Sequence, residues 1–299
     1  MNERTIVIFL GLLLSTLSLH GKDCCCQQDK DLTPFFGGID YDCMGEADFE
    51  KSSLKHQHLN FHVGRARLGS ILWYNSSCEE GVAMSLAYMK THLEWKENPY
   101  FDQENYETVS LSLSGFSDRL PDWLWKADLT ASLDTDPGDL EKYLCWDLLL
   151  WGRYDYCEDF GLHMGFYAIT GMKIDRVYPI LGIDWHCWRK LSLNLVFPLD
   201  ISAMWEFNDN WVAGAALRFF ESRHRVGNNE NLTRALWDYR TTGAEFTVDY
   251  NCTDYIHANF HIGYTLGGKL KIADRDNDDP HHFKFKSSPY IGGELRLGY

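Results

Sequence analysis

The feature that most constrains the fold is an alternation of apolar and polar residues that begins near residue 59 and continues to the end of the chain. In one clear run, Trp125, Ala127 and Leu129 alternate with Lys126 and Asp128. Successive side chains of a β-strand point to opposite faces, so a period of two marks a strand whose faces meet different surroundings. The alternation therefore predicts an all-β chain.

The alternating runs predict a single antiparallel transmembrane β-barrel of about 12 strands, with about 10–14 possible. The strands are expected near residues 59–74, 81–95, 107–116, 123–133, 143–156, 161–172, 179–188, 191–206, 211–221, 239–250, 255–268 and 288–299. A water-soluble sandwich is the alternative all-β fold, but its strands average only about 5–6 residues. Hydrophobic residues make up 45% of the chain while the mean hydropathy is only −0.33, as expected when apolar side chains are interleaved with polar ones.

The charge balance argues against one class of partner. Lys and Arg number 28 against 43 Asp and Glu, a formal net charge of −15. Release of phosphate counterions cannot drive binding by a chain of this charge. No nucleic-acid partner is expected.

The first residues predict export. Residues 1–21 carry Arg4, an apolar stretch and then Gly21, the pattern of a signal peptide cleaved near Gly21. Residues 22–58 are then expected to form a periplasmic Cys-bearing N-terminal segment or a plug, and residues 59–299 the barrel. Nine cysteines fit an oxidising compartment. The consecutive residues Cys24, Cys25 and Cys26 are candidates for cross-links to other envelope proteins.

The last predicted strand points to a particular envelope. Ile291, Leu295, Leu297 and the terminal Tyr299 share one face, and an aromatic residue that ends an alternating strand is the signal that the outer-membrane assembly machinery recognises. The chain resembles bacterial outer-membrane β-barrel proteins of Gram-negative-type envelopes. Residues 181–185, the strand at Pro198, residues 208–211 and residues 263–267 are similar to an uncharacterised barrel family. The resemblance implies an outer-membrane location, with lipid, lipopolysaccharide and the barrel assembly machinery as partners.

The alternation also assigns side chains to the two faces of the wall. Those expected to face the lumen are Lys126, Asp128, Asp147, Arg153, Asp184, Arg218, Glu245, Asp249, Glu294 and Arg296. Those expected to face lipid include Trp125, Leu129, Phe246, Phe260, Leu295 and Leu297. Both signs of charge inside permit either a solvated channel or a closed interior crossed by ion pairs.

Placing Tyr299 at the periplasmic rim makes residues 222–238 and 269–287 external loops and residues 208–210 and 251–254 periplasmic turns. This arrangement fits an even strand number. The segment 134–142 would be a long inner turn under this count, so an error in strand number is expected in the first half.

Two groups of residues have the composition of a cation site. His56, His58 and His62 place imidazoles at a spacing that permits zinc or copper binding, but no Cys or carboxylate completes a ligand set, so solvated histidines are favoured. Residues 274–279 start like a calcium loop but lack its Gly and Glu, and an acidic surface loop between lipopolysaccharide phosphates is favoured. We expect no metal and no cofactor.

The polar inner face predicts a passive small-solute pore. A structural envelope protein that is disulfide-linked to partners is the alternative. A hydrolase on the barrel surface is disfavoured because no Gly-x-Ser-x-Gly run is present, so no catalytic residue is assigned and the chain is not expected to be an enzyme.

Overall fold

The structure is a computed structural model that describes residues 35–75, 79–134, 143–173 and 175–298. The elements in chain order are β1 (Phe35–Asp48), a 3-10 turn (Ser52–Leu54), β2 (His58–Asn75), β3 (Glu80–Trp95), β4 (Asn105–Ser117), β5 (Trp123–Asp134), β6 (Leu144–Cys157), β7 (Phe160–Gly171), β8 (Arg176–Trp188), β9 (Leu191–Phe197), β10 (Asp200–Asn208), β11 (Trp211–Arg225), β12 (Leu236–Thr253), β13 (Ile256–Ala273), β14 (His281–Phe285) and β15 (Pro289–Leu297).

The strands close into one antiparallel barrel. Each strand from β1 to β13 pairs with its neighbours in sequence, and β15 pairs with both β13 and β1, which closes the ring at 14 strands. The short β14 pairs with β13 on the same edge as β15, farther along that strand. A closed sheet leaves no edge with unpaired backbone groups, which is the condition for a sheet that spans lipid.

The count of about 12 strands is wrong by two. Residues 191–206, read from the sequence as one strand, form β9 and β10 joined by Pro198 and Leu199. Proline has no N–H to donate to the ladder, so its position inside a predicted strand favours a break there.

The second extra strand is β1, which lies inside the segment 22–58 that the sequence analysis places outside the barrel. Its residues do alternate, with Ile39 and Tyr41 exposed and Asp42 and Met44 buried. Three glycines in the strand have no side chain to contribute to the apolar–polar alternation. A strand count based on apolar side chains therefore misses β1.

The chain ends and the connections divide the barrel into two rims. The two-residue connections 158–159, 189–190, 209–210 and 254–255 lie at one end, called here the turn rim, together with the start of β1 and the end of β15. The longer connections 49–57, 96–104, 226–235 and 274–280 lie at the other end, called the loop rim. The end of β5 and the start of β6 also lie at the loop rim, because the split into β9 and β10 reverses the direction of the first half.

The outside of the barrel is apolar around its middle. Large apolar side chains stand exposed on successive strands, among them Leu68, Leu86, Leu111, Leu129, Leu148, Leu181, Leu195, Phe246, Phe260 and Leu297. So many exposed apolar residues in one band are characteristic of a surface that meets lipid.

Aromatic side chains gather outside the barrel near the turn rim. The Trp123 and Trp125 rings stack at 5.2 Å, and Trp211 lies 4.5 Å from Tyr250 on the neighbouring strand. Such girdles lie at the head-group level of membrane barrels. Within the described residues, no helix is long and apolar enough to cross a membrane.

Candidate functional site

The loop-rim ends of β11 and β12 leave the wall and enter the barrel. Four consecutive residues of β11, numbered 222–225, are buried, and so are four consecutive residues of β12, numbered 236–239. A wall strand buries only alternate residues, because its other face meets the outside. We call residues 220–225 and 236–239 the tongue, and its burial shows that both of its faces are covered.

Apolar rings fill the space between the tongue and the wall. Tyr239 of the tongue stacks on Phe61 at 4.2 Å and on Phe285 at 5.2 Å. Trp237 meets the edge of Tyr106 at 5.0 Å. These rings belong to the largest buried apolar cluster of the described residues, which also includes Met44, Leu59, Met89, Leu93, Trp95, Phe220, Leu236, Leu270, Ile272, Phe283 and Tyr290. The mouth of the barrel is therefore closed by an apolar core.

One face of the tongue is joined to the opposite wall by a polar cluster. Nδ1 of His224 lies 2.9 Å from Oδ1 of Asp134 on β5, and the backbone N–H of Arg225 donates to the other Asp134 oxygen at 2.8 Å. The Thr108 hydroxyl donates to the same carboxylate at 2.8 Å. Because Asp134 and His224 are both buried, each depends on the other to satisfy its polar atoms.

The same histidine has the connectivity of a hydrolase triad. Its Nε2 lies 3.0 Å from the Ser222 hydroxyl, while its Nδ1 faces Asp134. However, Nε2 also lies 3.2 Å from the Thr91 hydroxyl, and His224 has no exposed surface. The cluster therefore acts as a latch between the tongue and strands β3–β5.

The other face of the tongue contacts β6 and β8. Arg223 donates to the Cys145 sulfur at 3.2 Å. Arg176 of β8 pairs with Glu221 and with Asp238, and the Tyr178 hydroxyl donates to Glu221 at 3.3 Å. The β9–β10 hairpin is short and ends farther from the loop rim than its neighbours β8 and β11 do. The contacts of Arg176 and Tyr178 lie on the loop-rim side of this hairpin.

The connection at the tip of the tongue docks on the β3–β4 connection. The Gly227 N–H donates to the Gln103 side chain at 2.8 Å, and the Leu232 N–H donates to the Tyr100 carbonyl at 2.8 Å. Tyr100 itself packs on Phe283 and His281, and this burial raises the pKa of its phenol. The tongue is thus held at its tip as well as along both faces.

Below the tongue the interior is polar and its charges are paired. Arg218 makes two hydrogen bonds of 2.9 Å with Glu245, and Tyr290 donates to the same carboxylate at 2.7 Å. Beside them, His261 Nε2 lies 2.8 Å from Asp42. We call these five residues the charged belt. It lies directly beneath the apolar core, because Tyr290 belongs to both layers and packs against Phe220 of the core at 5.2 Å.

A second charged group lies nearer the turn rim. Arg153 and His163 both contact the Asp184 carboxylate, at 2.9 Å and 2.6 Å. The Trp151 N–H donates to Nδ1 of His163 at 3.1 Å. Because the indole nitrogen can only donate, Nδ1 of His163 accepts from Trp151, and Nε2 is the ring nitrogen that faces Asp184.

The residues assigned to the lumen lie on the inner face of the wall, where they meet one another. Lys126 lies 3.4 Å from Asp128, Asp249 accepts from Asn259 at 2.8 Å, and Asp147 accepts from Tyr167 at 3.4 Å. Glu294 and Arg296 pair at 2.6 Å. Arg153, Asp184, Arg218 and Glu245 are in the groups described above. These pairs join residues of the same strand or of nearby strands, so the described residues place paired charges along the inner face of the wall.

The residues assigned to lipid lie on the outer face. Leu129, Phe246, Phe260, Leu295, Leu297 and Ile291 are exposed, and Trp125 is half-buried against Trp123. The signal peptide, the residues Cys24, Cys25 and Cys26, and the terminal Tyr299 lie outside the described residues. Of the described cysteines, Cys43, Cys145, Cys157, Cys187 and Cys252 are free thiols.

The two candidate cation groups are not assembled as ligand sets. His56 is exposed in the β1–β2 connection, and His58 Nδ1 lies 3.0 Å from Asp48. Asp274 accepts from the N–H groups of Asp276 and Asp278, so its carboxylate shapes the loop. Among the described residues, no three His, Cys, Asp or Glu side chains form a group that could hold a metal.

The external loop predicted at residues 222–238 is wrong, and with it the sequence analysis missed the tongue. The run from Phe219 to Arg225 shows no alternation. A segment with two covered faces has no alternation, but an exposed loop has none either, so the sequence carries no signal that separates the two.

Comparison with known proteins adds to this geometry. No protein-family model matches the chain. An uncharacterised protein of Chlamydia pneumoniae is 23% identical over 316 residues, which cover 98% of each chain. One of Chlamydia trachomatis serovar D is 21% identical over 314 residues, 99% of this chain and 98% of that protein.

Among solved structures, the COG4313 outer membrane channel from Pseudomonas putida F1 is similar, with a TM-score of 0.50. The match covers 92% of this chain and 100% of that one at 13% identity. This likeness concerns the fold. The chain therefore shares a closed antiparallel barrel fold with that protein, and it has chlamydial relatives of similar length.

Proposed function

We propose that the protein is an outer-membrane channel for small polar solutes, closed at its loop rim by the tongue. The observation that carries the proposal is the contrast between the two halves of the lumen. The turn-rim half is lined by charged side chains, whereas the loop-rim half is filled by the tongue and its apolar core. In this proposal the passive small-solute pore expected from the sequence is a channel that opens when the tongue moves.

Three features support this proposal. The tongue is held by side-chain contacts and by the pairing of residues 236–239 with residues 270–273 of β13. Movement of the tongue would break that pairing but leave the closure of the barrel by β12, β13, β15 and β1 nearer the turn rim. The inner face beneath it carries both signs of charge, which suits polar solutes. The similar fold from Pseudomonas putida F1 is that of an outer membrane channel.

Shortening the tongue tests the proposal. Phe220 pairs directly with Thr241, so replacing residues 221–240 with Asn-Gly joins them through a two-residue hairpin and leaves the rest of the wall intact. Planar bilayers that contain wild-type protein should stay almost silent, and the shortened variant should give large, stable conductance steps.

A matched control shortens another connection at the same rim. Replacing residues 274–280 with Asn-Gly removes the acidic loop but leaves the tongue, and this variant should be as silent as wild type. The channel proposal is rejected if the tongue-shortened protein inserts and folds, judged by its heat-dependent gel mobility, and yet conducts no ions.

The alternative proposal is a structural envelope protein cross-linked through Cys24, Cys25 and Cys26. It predicts high-mass species on non-reducing gels of cell envelopes that collapse on reduction and are lost when the three residues are changed to Ser. Equal mobility with and without reductant would remove this alternative.

A further inference from the structure

On the outside of the barrel, near the loop rim, two histidines face each other on adjacent strands. His62 of β2 and His92 of β3 are direct partners in the antiparallel ladder. Their ring centres lie 5.7 Å apart, with the ring planes inclined by 54°. Directly opposed side chains of such strands have Cβ atoms about 4.5–5.5 Å apart, so the wall itself holds the two rings together.

Nδ1 of each ring already contacts an oxygen of a neighbouring side chain. The Tyr41 hydroxyl lies 3.0 Å from Nδ1 of His62, and the Asn105 side-chain oxygen lies 3.3 Å from Nδ1 of His92. Among the described residues, no hydrogen bond engages Nε2 of either ring. An oxygen that holds one imidazole nitrogen while the other is available is the usual outer contact of a metal-ligating histidine.

The neighbouring residues favour a cation. Glu94 lies two residues from His92 on the same face, and Lys90, on the other side of His92, has its charge paired with Glu107 at 3.3 Å. Gly64 gives Tyr41 room to lie across β2, since a Cβ there would meet the Tyr41 ring at 3.3 Å. The strands around the pair therefore supply a carboxylate at Glu94, a lysine whose charge is paired with Glu107, and the hydroxyl of Tyr41.

The position of the pair keeps it in contact with water. The apolar band of these strands includes Leu68 and Leu86, which are exposed farther toward the turn rim. His62 and His92 lie within four residues of the loop-rim ends of their strands, beside the polar pair Asn60 and Glu94. An ion can reach this point of the barrel surface without entering lipid.

We propose that His62 and His92 form a surface site for a divalent transition-metal ion such as Cu²⁺ or Zn²⁺. Two imidazoles bound to one ion at about 2.0–2.1 Å per bond have ring centres about 5–6 Å apart, and the observed separation lies within that range. Two protein ligands leave the remaining positions to water, and no third protein ligand is required. The site is independent of the proposed channel, since it lies outside the lumen.

The test uses the full-length protein refolded in detergent, with all nine cysteines changed to Ser so that thiols do not bind metal. Zn²⁺ binding is measured by calorimetry, and Cu²⁺ binding by electron paramagnetic resonance. The parent should bind one Cu²⁺ with the spectrum of two nitrogen ligands, and it should bind Cu²⁺ more tightly than Zn²⁺. Mg²⁺ should not compete.

His62→Gln and His92→Gln should each weaken binding at least about tenfold, since even an outer contact of a metal ligand contributes about 10–100-fold. The double variant should lose less affinity than the sum of the two single losses, because both side chains serve one ion. A His281→Gln/His282→Gln variant is the matched control, and it should keep the parent affinity. Restoring Cys43, the β1 partner of His62, should also leave the affinity unchanged.

Two results would overturn the proposal. One is an affinity within twofold of the parent in both single variants. The other is a pair of losses that add in the double variant, as two separate weak sites would give. All variants should show the heat-dependent gel mobility of the folded barrel, so a failure to fold is recognised separately.

Discussion

The Nδ1 atom of His224 on β11 lies 2.9 Å from the Asp134 carboxylate on β5, on the far side of the barrel. Strands that are not neighbours in a barrel wall touch only through the lumen. This contact therefore places the loop-rim end of β11 inside the barrel. Breaking it is the first test of whether the tongue closes the lumen.

Replacing His224 with Ala should destabilise the tongue. It leaves the Asp134 carboxylate buried without one of its partners, a loss of about 1–3 kcal/mol in the free energy of unfolding. The same variant should open more often in planar bilayers. Urea unfolding in detergent measures the first effect, and His282→Ala, at an exposed position, should change neither quantity.

The thiol of Cys145 should report the position of the tongue. It is 3% exposed and lies under Arg223. In a variant whose only cysteine is Cys145, a methanethiosulfonate reagent should react slowly, and it should react much faster after Arg223→Ala or after the tongue is shortened. A variant whose only cysteine is the exposed Cys157 should react quickly in every background. Rapid reaction of Cys145 in the unaltered tongue would contradict a covered thiol.

Glu245 should set the ion preference of the opened lumen. Its removal leaves the Arg218 guanidinium without its bidentate partner in the charged belt. In the tongue-shortened protein, Glu245→Gln should shift the reversal potential in a KCl gradient toward anion preference. The exposed substitution Glu158→Gln serves as the control. A reversal potential that moves toward cations would show that the belt does not line the path.

Leu129 should contact lipid, since it is 44% exposed in the middle of β5. Leu129→Arg should cost about 2–4 kcal/mol if the residue lies near the bilayer midplane. Glu158→Arg, in a two-residue turn at the turn rim, should cost about 0–1 kcal/mol. Folding yield into lipid vesicles compares the two, and equal yields would mean that the outer face is assigned wrongly.

The barrel itself could be predicted because its wall meets two different environments. Each run such as Leu111, Leu113 and the serines between them shows the period of two, and the even strand number follows from where the two chain ends lie. The prediction failed where local chemistry interrupts the pattern: at the glycines of β1, and at Pro198 between β9 and β10.

The tongue could not be predicted in the same way. A segment covered on both sides has no polar face, so periodicity carries no information about it. Its partners are also remote, since Asp134 is 90 residues from His224. A charged run with no alternation is equally typical of an exposed loop, and only the closed barrel shows that Arg223 and His224 are buried.

The closed mouth is tested most directly by a cross-link between its two halves. The Leu232 N–H donates to the Tyr100 carbonyl at 2.8 Å, so the two backbones lie close enough for a disulfide. Tyr100→Cys and Leu232→Cys in a cysteine-free chain should therefore cross-link once the barrel has folded in membranes. A pair of Tyr100→Cys with Asp209→Cys, at opposite rims, should not. Efficient cross-linking of the first pair is the expected result. A folded, inserted barrel in which the first pair stays reduced under oxidising conditions would contradict a tongue that closes the lumen.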